Sequence, residues 1–428
     1  MSASGLDNKQ GLKLAHGSGS STVVNHCQVC SNTKLKSIFF LGYLPPVNKM
    51  VKIGTQPYEQ PSYPAELLYC DRCHLVQLGL IVDPTILFPP EYPYTSSTTK
   101  NLRDNFAELY QECTSIVGIT SKDLVVDIGS NDGNLLSNFA GKHKVMGVTP
   151  ESIGNVAVER GIPTIIDYFT RSVVARIVKN EGKAKIVTAT NVFAHMENIQ
   201  EVIEAIQELL SDDGVFISES HYLLPLVETL QYDTIYHEHM RYYSLSSLKF
   251  LLEQHGLEIF HAKPIPTHGG SVRVYAARKN RYEVRPTVKS ILDQESDMIL
   301  GEEKLLVFKE KVVMSKLELY ALLTSIKKGG QRIYGISAPS RASTLINYTG
   351  LDDGIIDCVL EIKGSHKIGN YVPGTTIPIV DESILFEDQP EYAMIFSWHI
   401  ADELIPKLKS KGYKGKFIVP LPEPRIID

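Results

Sequence analysis

Short β-branched runs alternate with helical patterns between about residues 120 and 280. The runs are LVVDI at 124–128, KVMGV at 144–148, KIVTA at 185–189 and GVFISES at 214–220. The stretches between them place apolar residues at helical spacing. This alternation predicts a parallel sheet covered by helices on both faces, which indicates an α/β fold for the middle of the chain.

The pattern changes near residue 284. Residues 284–328 are charged and show helical apolar periodicity, which predicts one or two long helices that connect two domains. The strand-like runs RIYGIS, CVLEI, TIPIV, YAMIFS and KFIVPL follow, with helical stretches between several of them. These runs predict a second α/β domain with a parallel sheet.

The length of 428 residues exceeds what one ordinary core holds, so several domains are expected. Residues 1–25 are rich in Ser, Gly and polar side chains. They carry too few bulky apolar groups to offset the entropy of ordering, and we predict a disordered tail. The predicted domains then span 26–85, 86–283 and 284–428.

Charge and hydropathy exclude some classes of partner. The net charge of −6 and the pI near 6.1 are unlike the basic surfaces that bind phosphate backbones, so no nucleic-acid partner is expected. No apolar run approaches the roughly 20 residues that cross a bilayer, and the first residues do not resemble a secretion signal. We expect a cytoplasmic protein with no membrane partner.

Two Cys-x-x-Cys pairs stand near the start, Cys27 with Cys30 and Cys70 with Cys73. Two such turns brought together form the tetrahedral four-thiolate shell that Zn²⁺ prefers, and a closed shell of this kind is structural. The interval between the pairs is longer than in a small zinc ribbon, so another fold element must lie between them. The alternatives are a redox pair, which usually sits beside a βαβ pattern, and plain buried cysteine.

The first run of the α/β region ends in an acidic, glycine-containing turn that leads into the helical pattern NLLSNFAG. Glycines there let a ligand approach the backbone at the carboxyl edge of the sheet. An acid before the turn suits the ammonium group of S-adenosyl-L-methionine, whereas it would repel a pyrophosphate. The predicted cofactor contacts are Asp127, Gly129, Ser130, Asn131 and Gly133.

The second run ends in Thr149, where an acid that holds the cofactor ribose is expected. Either the Thr149 hydroxyl or the nearby Glu151 must hold the ribose, or the cofactor binds differently. Downstream, Asp167 is placed to accept from the adenine amine, and Phe169 to pack on the ring. The alternative for these two residues is an acid and a core aromatic at a strand end.

The tyrosine-histidine segment, YDTIYHEHMRYYS at 232–244, concentrates titratable groups that would each need a partner if buried in a core. We therefore interpret it as a reactive site. Histidine, with an ordinary pKa near 6.5, suits a base that removes a proton next to a carbonyl. His239 is the candidate base. Tyr236 and Glu238 are candidates either for orienting the substrate or for stabilising the developing enolate, and His237 is a weaker candidate because it alternates with them.

Three further stretches contain residues that are typical of a functional site. Asn191 and His195 follow the third run, at the edge that faces the cofactor. The stretch HGGSVR offers His268 as a substrate contact and Arg273 for binding phosphate, with a simple β-bulge as the alternative. The linker FPPEYPYTSSTT carries two tyrosines and either folds over a ligand or is only a turn; these tyrosines are Tyr92 and Tyr94.

The order of these motifs resembles the sugar C-methyltransferase family of antibiotic deoxysugar pathways, such as the C-3 methyltransferase of the tetronitrose pathway. Two cysteine pairs are followed by F-x-x-x-Y-x-Y, I-G-x-N-D-G, A-x-N-x-x-x-H, Y-x-E-H and H-G-G-x-x-R. The likeness covers nearly the whole chain after the tail. It implies a zinc-binding domain, a class I methyltransferase (Rossmann-like) domain and a C-terminal α/β domain that helps to hold a sugar nucleotide.

The resemblance also implies roles for single residues. The histidine of Y-x-E-H, here His239, acts as the base at the carbon beside a 4-keto group, with Tyr236 and Glu238 alongside. Tyr94 closes on the sugar, with Tyr92 as the second choice. Asn191 and His195 match positions near the reacting carbon.

The C-terminal domain is where the chain departs most from its relatives. It reads GISAPSR, ending in Arg341, where they show G-x-G-A-x-A-K. The resemblance implies that the turn KIGNYVPG, which contains Lys367, contacts the sugar nucleotide, with a plain loop as the alternative. Arg341 is a further predicted substrate contact. The nucleotide is left open between dTDP, GDP and CDP, and we expect a monomer or small homo-oligomer.

Two other functions are compatible with the sequence. One keeps the cofactor but transfers the methyl group to oxygen or nitrogen of a small molecule. The other is a non-catalytic binding protein on a methyltransferase scaffold. The tyrosine-histidine segment disfavours the second, since a scaffold would have no use for it.

Overall fold

A small antiparallel sheet forms the first part of the computed structural model, which describes residues 21–88 and 100–428. Strand β4 pairs with both β2 and β5, and a short strand from the tyrosine-histidine segment pairs with the other edge of β5. The elements here are β1 (Thr22–Val23), β2 (Leu35–Leu44), β3 (Val51–Lys52), β4 (Tyr63–Cys70), β5 (Val76–Leu78), β6 (Leu80–Ile81) and helix α1 (Pro84–Leu87).

A seven-stranded sheet follows, and four of the predicted runs are its strands. Its elements are α2 (Lys100–Val117), β7 (Leu124–Ile128), β8 (Lys144–Thr149), α3 (Gly154–Glu159), β9 (Thr164–Ile166), α4 (Arg171–Glu181), β10 (Ala184–Thr190), α5 (Ile199–Leu209), β11 (Leu210–His221), α6 (Leu223–Glu228), β12 (Arg241–Tyr242), α7 (Leu245–Gln254), β13 (Leu257–Ile265) and β14 (Ser271–Arg278). Of these strands, β12 belongs to the first sheet.

The strand order of the central sheet is β13-β14-β11-β10-β7-β8-β9. Strands β7 to β11 are parallel, as predicted, whereas β14 runs antiparallel to both β11 and β13. The sheet is therefore mixed. The α/β fold class is confirmed, and the five parallel strands bring their carboxyl ends to one edge.

The helix predicted from NLLSNFAG is wrong. Only a single 3-10 turn forms there, at Leu136–Asn138. The Asn138 side chain donates to the carbonyl groups of Asn134 and Leu135, and these bonds compete with helical backbone bonds. Gly141, at a φ of 79°, then turns the chain into β8.

Two long helices, α8 (Pro286–Met298) and α9 (Glu302–Lys328), connect to a second α/β sheet, as the periodicity predicts. Its order is β18-β16-β15-β19-β20-β21, parallel except for β21. The remaining elements are β15 (Ile333–Ile336), α10 (Ser340–Thr349), β16 (Cys358–Glu361), β17 (Asn370–Tyr371), β18 (Ile379–Asp381), α11 (Ser383–Asp388), β19 (Tyr392–Ile395), α12 (Ala401–Ser410), β20 (Lys416–Val419) and β21 (Arg425–Ile427).

The domains share backbone pairing. Strand β17 of the C-terminal domain pairs with β3 of the first domain, and β12 of the central domain pairs with β5. These two ladders bring all three domains around the tyrosine-histidine segment. Within the part of the chain that the structure describes, no helix is both long and apolar enough to span a bilayer.

Candidate active site

His239 lies where the tyrosine-histidine segment turns into β12. Its ring nitrogen Nδ1 is 2.9 Å from the carbonyl oxygen of Thr234. A carbonyl oxygen only accepts hydrogen bonds, so Nδ1 carries the proton and the lone pair of the neutral ring is on Nε2. The backbone thereby fixes the tautomer that accepts a proton through Nε2.

Aromatic rings surround His239. The ring centre of Tyr236 lies 4.2 Å away, that of His195 5.1 Å away and that of His221 6.2 Å away. We call the three imidazoles the histidine cluster. Burial lowers the pKa of His239 well below 6.5, and its two imidazole neighbours lower it further. The ring is therefore neutral at pH 7.

Strand β10 ends at the same cluster. Asn191 follows the strand at a φ of 55° and donates its backbone N–H to the Glu219 carbonyl, 2.8 Å away. The 3-10 turn Phe193–His195 comes next and places His195 against His239. Burial lowers the pKa of His195 to about 4. The structure thus brings His195 to the predicted base.

The linker tyrosines Tyr92 and Tyr94 lie outside the described residues. Phe88, the last described residue before them, has its ring centre 6.1 Å from that of His195. The chain therefore enters the linker beside the histidine cluster. The roles of the two tyrosines stay predictions.

Glu238 stands at a junction of all three domains. It accepts a hydrogen bond from the Asn48 side-chain amide at 2.7 Å, and the Ser340 hydroxyl donates to the Asn48 oxygen at 3.2 Å. Burial lowers the pKa of nearby Lys367, and the charge of Glu238 acts in the opposite direction. Asn48 was not predicted, because its Pro-Pro-Val-Asn loop has no chemical pattern and lies 190 positions from Glu238.

His237 turns away from this junction. Its Nε2 lies 3.2 Å from the carbonyl oxygen of Pro64, and its ring contacts Tyr63 edge-on at 5.8 Å. Both partners belong to strand β4 of the first domain. Neighbouring positions of one segment therefore serve different domains, as the alternation suggested.

Arg341 links two domains. Its Nε and Nη2 donate to the two carboxylate oxygens of Asp233, at 2.8 and 2.9 Å. The Trp398 indole N–H donates to the same carboxylate at 2.8 Å, and the His399 Nδ1 lies 2.8 Å from Nη1 of Arg341. Arg341 thus ties α10 to the tyrosine-histidine segment. Its predicted contact with the substrate stays a prediction, and its main partner in the structure is Asp233.

His268 occupies a tight turn next to the histidine cluster. It has a φ of 57°, and desolvation by the surrounding protein, with the positive charge of Arg341, lowers its pKa to about 4. Gln231 connects this turn to the cluster. Its amide donates to the Gly269 carbonyl at 2.6 Å, and its oxygen lies 3.2 Å from Nε2 of His221.

Arg273 lies inside an ion-pair network, and the structure does not support the phosphate contact predicted for it. Its side chain is fully buried and pairs with Glu219 at 2.7 Å, Glu108 at 2.5 Å and Glu112 at 2.7 Å. Asn105 accepts from it at 3.0 Å. These partners join β14 to β11 and α2, and they occupy the donors that a phosphate would need.

The turn after β7 fits the methionine end of S-adenosyl-L-methionine. Asp127 is buried there, with the Thr188 hydroxyl donating to it at 2.6 Å, and burial raises its pKa to about 7. Gly129, Asn131 and Gly133 have positive φ values of 73°, 51° and 77°. Such conformations suit glycine and asparagine and leave the backbone open to a ligand.

Two residues of this turn, Ser130 and Gly133, pack closely against neighbouring elements. Ser130 lies against Gly147 of β8, where an added Cβ would be 2.5 Å from the serine oxygen. A Cβ on Gly133 would lie 2.8 Å from Ile162 and 2.9 Å from Ala157. These contacts fix the turn on its neighbours.

The end of β8 places a carboxylate beside Thr149. Thr149 is buried, and its hydroxyl donates to the Glu151 carboxylate at 2.5 Å. The backbone N–H of Asp167 bonds to the Thr149 carbonyl at 3.0 Å, and Phe169 packs half-buried against the core. The structure gathers these residues at one edge of the sheet, with Glu151 oriented by Thr149.

The two cysteine pairs converge into one cluster, the cysteine knuckle. Its four sulfur atoms lie within 4.8 Å of one another, and all four side chains are buried. The sulfurs of Cys27 and Cys73 are 3.3 Å apart, and those of Cys30 and Cys70 are 3.5 Å apart. Sulfur ligands at about 2.3 Å from a tetrahedral zinc ion are about 3.7 Å apart, so this donor set fits structural Zn²⁺.

Comparison with a known relative decides the family. The C-methyltransferase NovU of Streptomyces niveus is 32% identical over 410 residues, which are 94% of this chain and 97% of the relative. The chain belongs to this C-methyltransferase family. The family predicted from the order of the motifs is thereby confirmed. The protein is an S-adenosyl-L-methionine-dependent C-methyltransferase.

Family models divide the C-methyltransferase into three parts. Residues 27–88 match a zinc binding domain, residues 100–262 a methyltransferase domain, and residues 266–422 a C-methyltransferase C-terminal domain. Zn²⁺ on the cysteine knuckle and S-adenosyl-L-methionine on the central sheet are therefore its cofactors.

Solved structures resemble part of the C-methyltransferase. The magnesium protoporphyrin IX methyltransferase of Synechocystis with bound SAM has a TM-score of 0.32 and 15% identity, over 41% of this chain and 79% of that one. An S-adenosylmethionine-dependent methyltransferase of Clostridium acetobutylicum has a TM-score of 0.33 and 11% identity, over 42% and 93%. Each likeness spans less than half of this chain.

Replacing a knuckle cysteine should remove the metal. We expect Cys73→Ser to lower the zinc content from about one ion per chain to near zero and to lower the melting temperature, because three thiolates no longer close the shell. Cys113→Ser, a buried cysteine outside the knuckle, is the matched control and should keep its zinc. Metal analysis and calorimetry measure both effects, and full zinc in Cys73→Ser would contradict the assignment.

Proposed function

We propose that the enzyme methylates a carbon next to the ketone of a nucleotide-linked 4-keto-deoxysugar, with His239 as the base. One observation carries the base assignment. The Thr234 carbonyl holds the proton of His239 on Nδ1, at 2.9 Å, so the lone pair on Nε2 is available to take a proton. The C–H bond breaks, its proton moves to Nε2, and its electron pair becomes an enolate.

The environment of His239 suits this step. Burial keeps the imidazole neutral before the reaction. After proton transfer the ring is a cation, and the Thr234 carbonyl and the face of the Tyr236 ring, 4.2 Å away, both favour positive charge there. The same contacts therefore hold the base in place and stabilise its protonated form.

The enolate needs a donor near its oxygen. Burial raises the pKa of Tyr236 well above 10, so its hydroxyl keeps its proton at neutral pH and donates a hydrogen bond. Asn191 and His195 are assigned supporting roles because they lie at the carboxyl end of β10, beside His239. Tyr94 is assigned the closing role because its linker begins beside His195.

The cofactor supplies an electrophilic methyl group on a sulfonium ion. Asp127 binds its ammonium group, and the Asp127 carboxylate becomes the favoured form once a cation lies beside it. Glu151, oriented by the Thr149 hydroxyl at 2.5 Å, binds the ribose hydroxyls. Asp167 and Phe169 bind adenine at the end of β9.

The C-terminal domain binds the sugar nucleotide in this proposal. Lys367 supplies positive charge beside Glu238, and the charges of His268 and Arg341 act on His221 of the histidine cluster. Arg341 contributes its charge only, because its donors contact Asp233, Gln231 and His399. Glu238 accepts from a sugar hydroxyl while Asn48 holds it at 2.7 Å. Arg273 has no part, because its donors are all engaged with carboxylates and Asn105.

Replacing the base should stop the chemistry without losing the cofactor. We expect His239→Asn to lower kcat on the order of 10³-fold, as for loss of general base catalysis, with the Kd for S-adenosyl-L-methionine within about threefold of the wild type. Turnover with a methyl-¹³C cofactor and a keto-sugar nucleotide, followed by NMR, shows whether the methyl group is on carbon. His237→Asn, whose ring faces the first domain, is the control. Wild-type kcat in His239→Asn would reject the base.

Removing the charge from Glu151 should weaken cofactor binding alone. We expect Glu151→Gln to raise the Kd for S-adenosyl-L-methionine about tenfold, because a charged acceptor contributes more to a hydrogen bond than a neutral one. Titration calorimetry measures it, with Glu159→Gln on the exposed end of α3 as the control. An unchanged Kd would place the ribose elsewhere.

The pH profile should report the lowered pKa of His239. An imidazole that stays neutral well below pH 6.5 predicts that kcat/KM changes little between pH 7.5 and 6 and falls only at lower pH. The melting temperature is measured alongside. Unfolding exposes imidazoles that then bind protons, so stability itself declines as the pH drops below 6.5. A fall in kcat/KM centred on pH 6.5, with the melting temperature unchanged, would contradict the assignment.

A further inference from the structure

Arg241 differs from the other buried arginines. Arg273 and Arg341 pair with buried carboxylates, whereas Arg241 donates to two backbone carbonyls, those of Met196 at 2.5 Å and Glu197 at 2.6 Å. Only 2% of the Arg241 surface is exposed. Within residues 21–88 and 100–428, no carboxylate forms an ion pair with it. A buried cation needs a counter-charge. Among the described acids, the exposed Glu197 acts on the charge of Arg241 but forms no ion pair with it.

The cysteine knuckle lies next to Arg241. Strand β12 pairs with β5, and Arg241 stands opposite Gln77. The buried Gln77 side chain bonds to the chain on both sides of Cys27: it donates to the His26 carbonyl at 3.0 Å and accepts from the Gln28 N–H at 2.9 Å.

A zinc ion held by four thiolates carries a net charge of about −2, from one doubly charged cation and four anions. The knuckle is buried, so this charge is not solvated directly. Arg241 is the buried cation on the neighbouring strand that the described acids leave without an ion pair. A zinc–thiolate centre at the knuckle would balance the charge of the guanidinium.

The same guanidinium holds the histidines in place. Its two acceptors, Met196 and Glu197, follow directly after His195, and its own strand follows directly after His239. The Leu78 N–H also donates to the Met240 carbonyl at 3.0 Å. The 5.1 Å spacing between the His195 and His239 rings thus depends on chain segments that Arg241 joins.

We propose that Arg241 is a positioning residue that couples the zinc–thiolate knuckle to the histidine pair of the active site. The metal centre fixes the guanidinium by charge, and the guanidinium fixes the loop of His195 against the strand of His239. The catalytic consequence rests on the proposed base, whereas the coupling between metal and loop does not.

Two variants separate charge from geometry. Arg241→Gln removes the charge. We expect about tenfold faster zinc release to a chelator, and faster amide exchange in residues 192–198 and 236–242. Arg241→Lys keeps the charge but loses the planar guanidinium that bonds to the carbonyls of Met196 and Glu197. It should release zinc within about threefold of the wild-type rate, yet show the same rise in amide exchange. Both variants should lower kcat while the Kd for S-adenosyl-L-methionine stays unchanged.

The control is Arg278→Gln, which removes an arginine that also donates to a backbone carbonyl, that of Gln207 at 3.1 Å, but stands on β14 opposite Leu257 of β13. It should leave zinc release and exchange in residues 192–198 at wild-type values. Wild-type zinc release in Arg241→Gln, or wild-type exchange in residues 192–198 of either variant, would overturn the proposal.

A second measurement needs no variant, in case Arg241→Gln fails to fold. Chelation of zinc from the wild-type enzyme should raise amide exchange in residues 192–198, while strands β15 and β19 of the C-terminal domain stay protected. Unchanged exchange in residues 192–198 after zinc removal would overturn the coupling. If only the base assignment is wrong, these readouts keep their expected values and His239→Asn retains turnover.

Discussion

The hydrogen bond from His239 Nδ1 to the Thr234 carbonyl is the contact on which the site depends. It selects the tautomer, and it requires the backbone of the tyrosine-histidine segment to be held still at both ends. One end is fixed by the C-terminal domain, where Arg341 and Trp398 donate hydrogen bonds to Asp233. The other end is fixed from the first domain, where β5 pairs with β12. Three domains thus converge on one histidine.

Burial gives the site its chemical character. It lowers the pKa values of His195, His221 and His239 and raises that of Tyr236, so a base and a donor are both neutral at pH 7. Before the reaction neither the base nor the donor carries a charge, and the base becomes charged only when it takes the proton from the substrate. The enzyme obtains this by surrounding the segment with protein rather than by pairing each group with an opposite charge.

The sequence predicted local structure and local chemistry well. Runs of β-branched residues matched the strands because propensity and burial act on neighbouring positions, and the Cys-x-x-Cys pairs converged because their spacing encodes a ligand turn. The 3-10 turn after Gly133 was missed because Asn138 bonds to nearby carbonyls, a competition that periodicity does not register.

Partners distant along the chain escaped prediction. An arginine in a sequence carries no sign of whether it meets a phosphate or a carboxylate, so Arg273 was assigned to the substrate although three glutamates surround it. Asn48 and Arg241 were missed for the same reason, since their roles exist only once β5 meets β12 and the first domain meets Glu238.

In the proposed mechanism His239 removes a proton from carbon before any methyl group moves. The most direct test of this order is exchange of solvent deuterium into a 4-keto-deoxysugar nucleotide, followed by NMR with S-adenosylhomocysteine in place of the methyl donor. The wild-type enzyme should exchange the hydrogen on the carbon next to the ketone, and His239→Asn should show only background exchange. Equal exchange by the two proteins, above background, would contradict it.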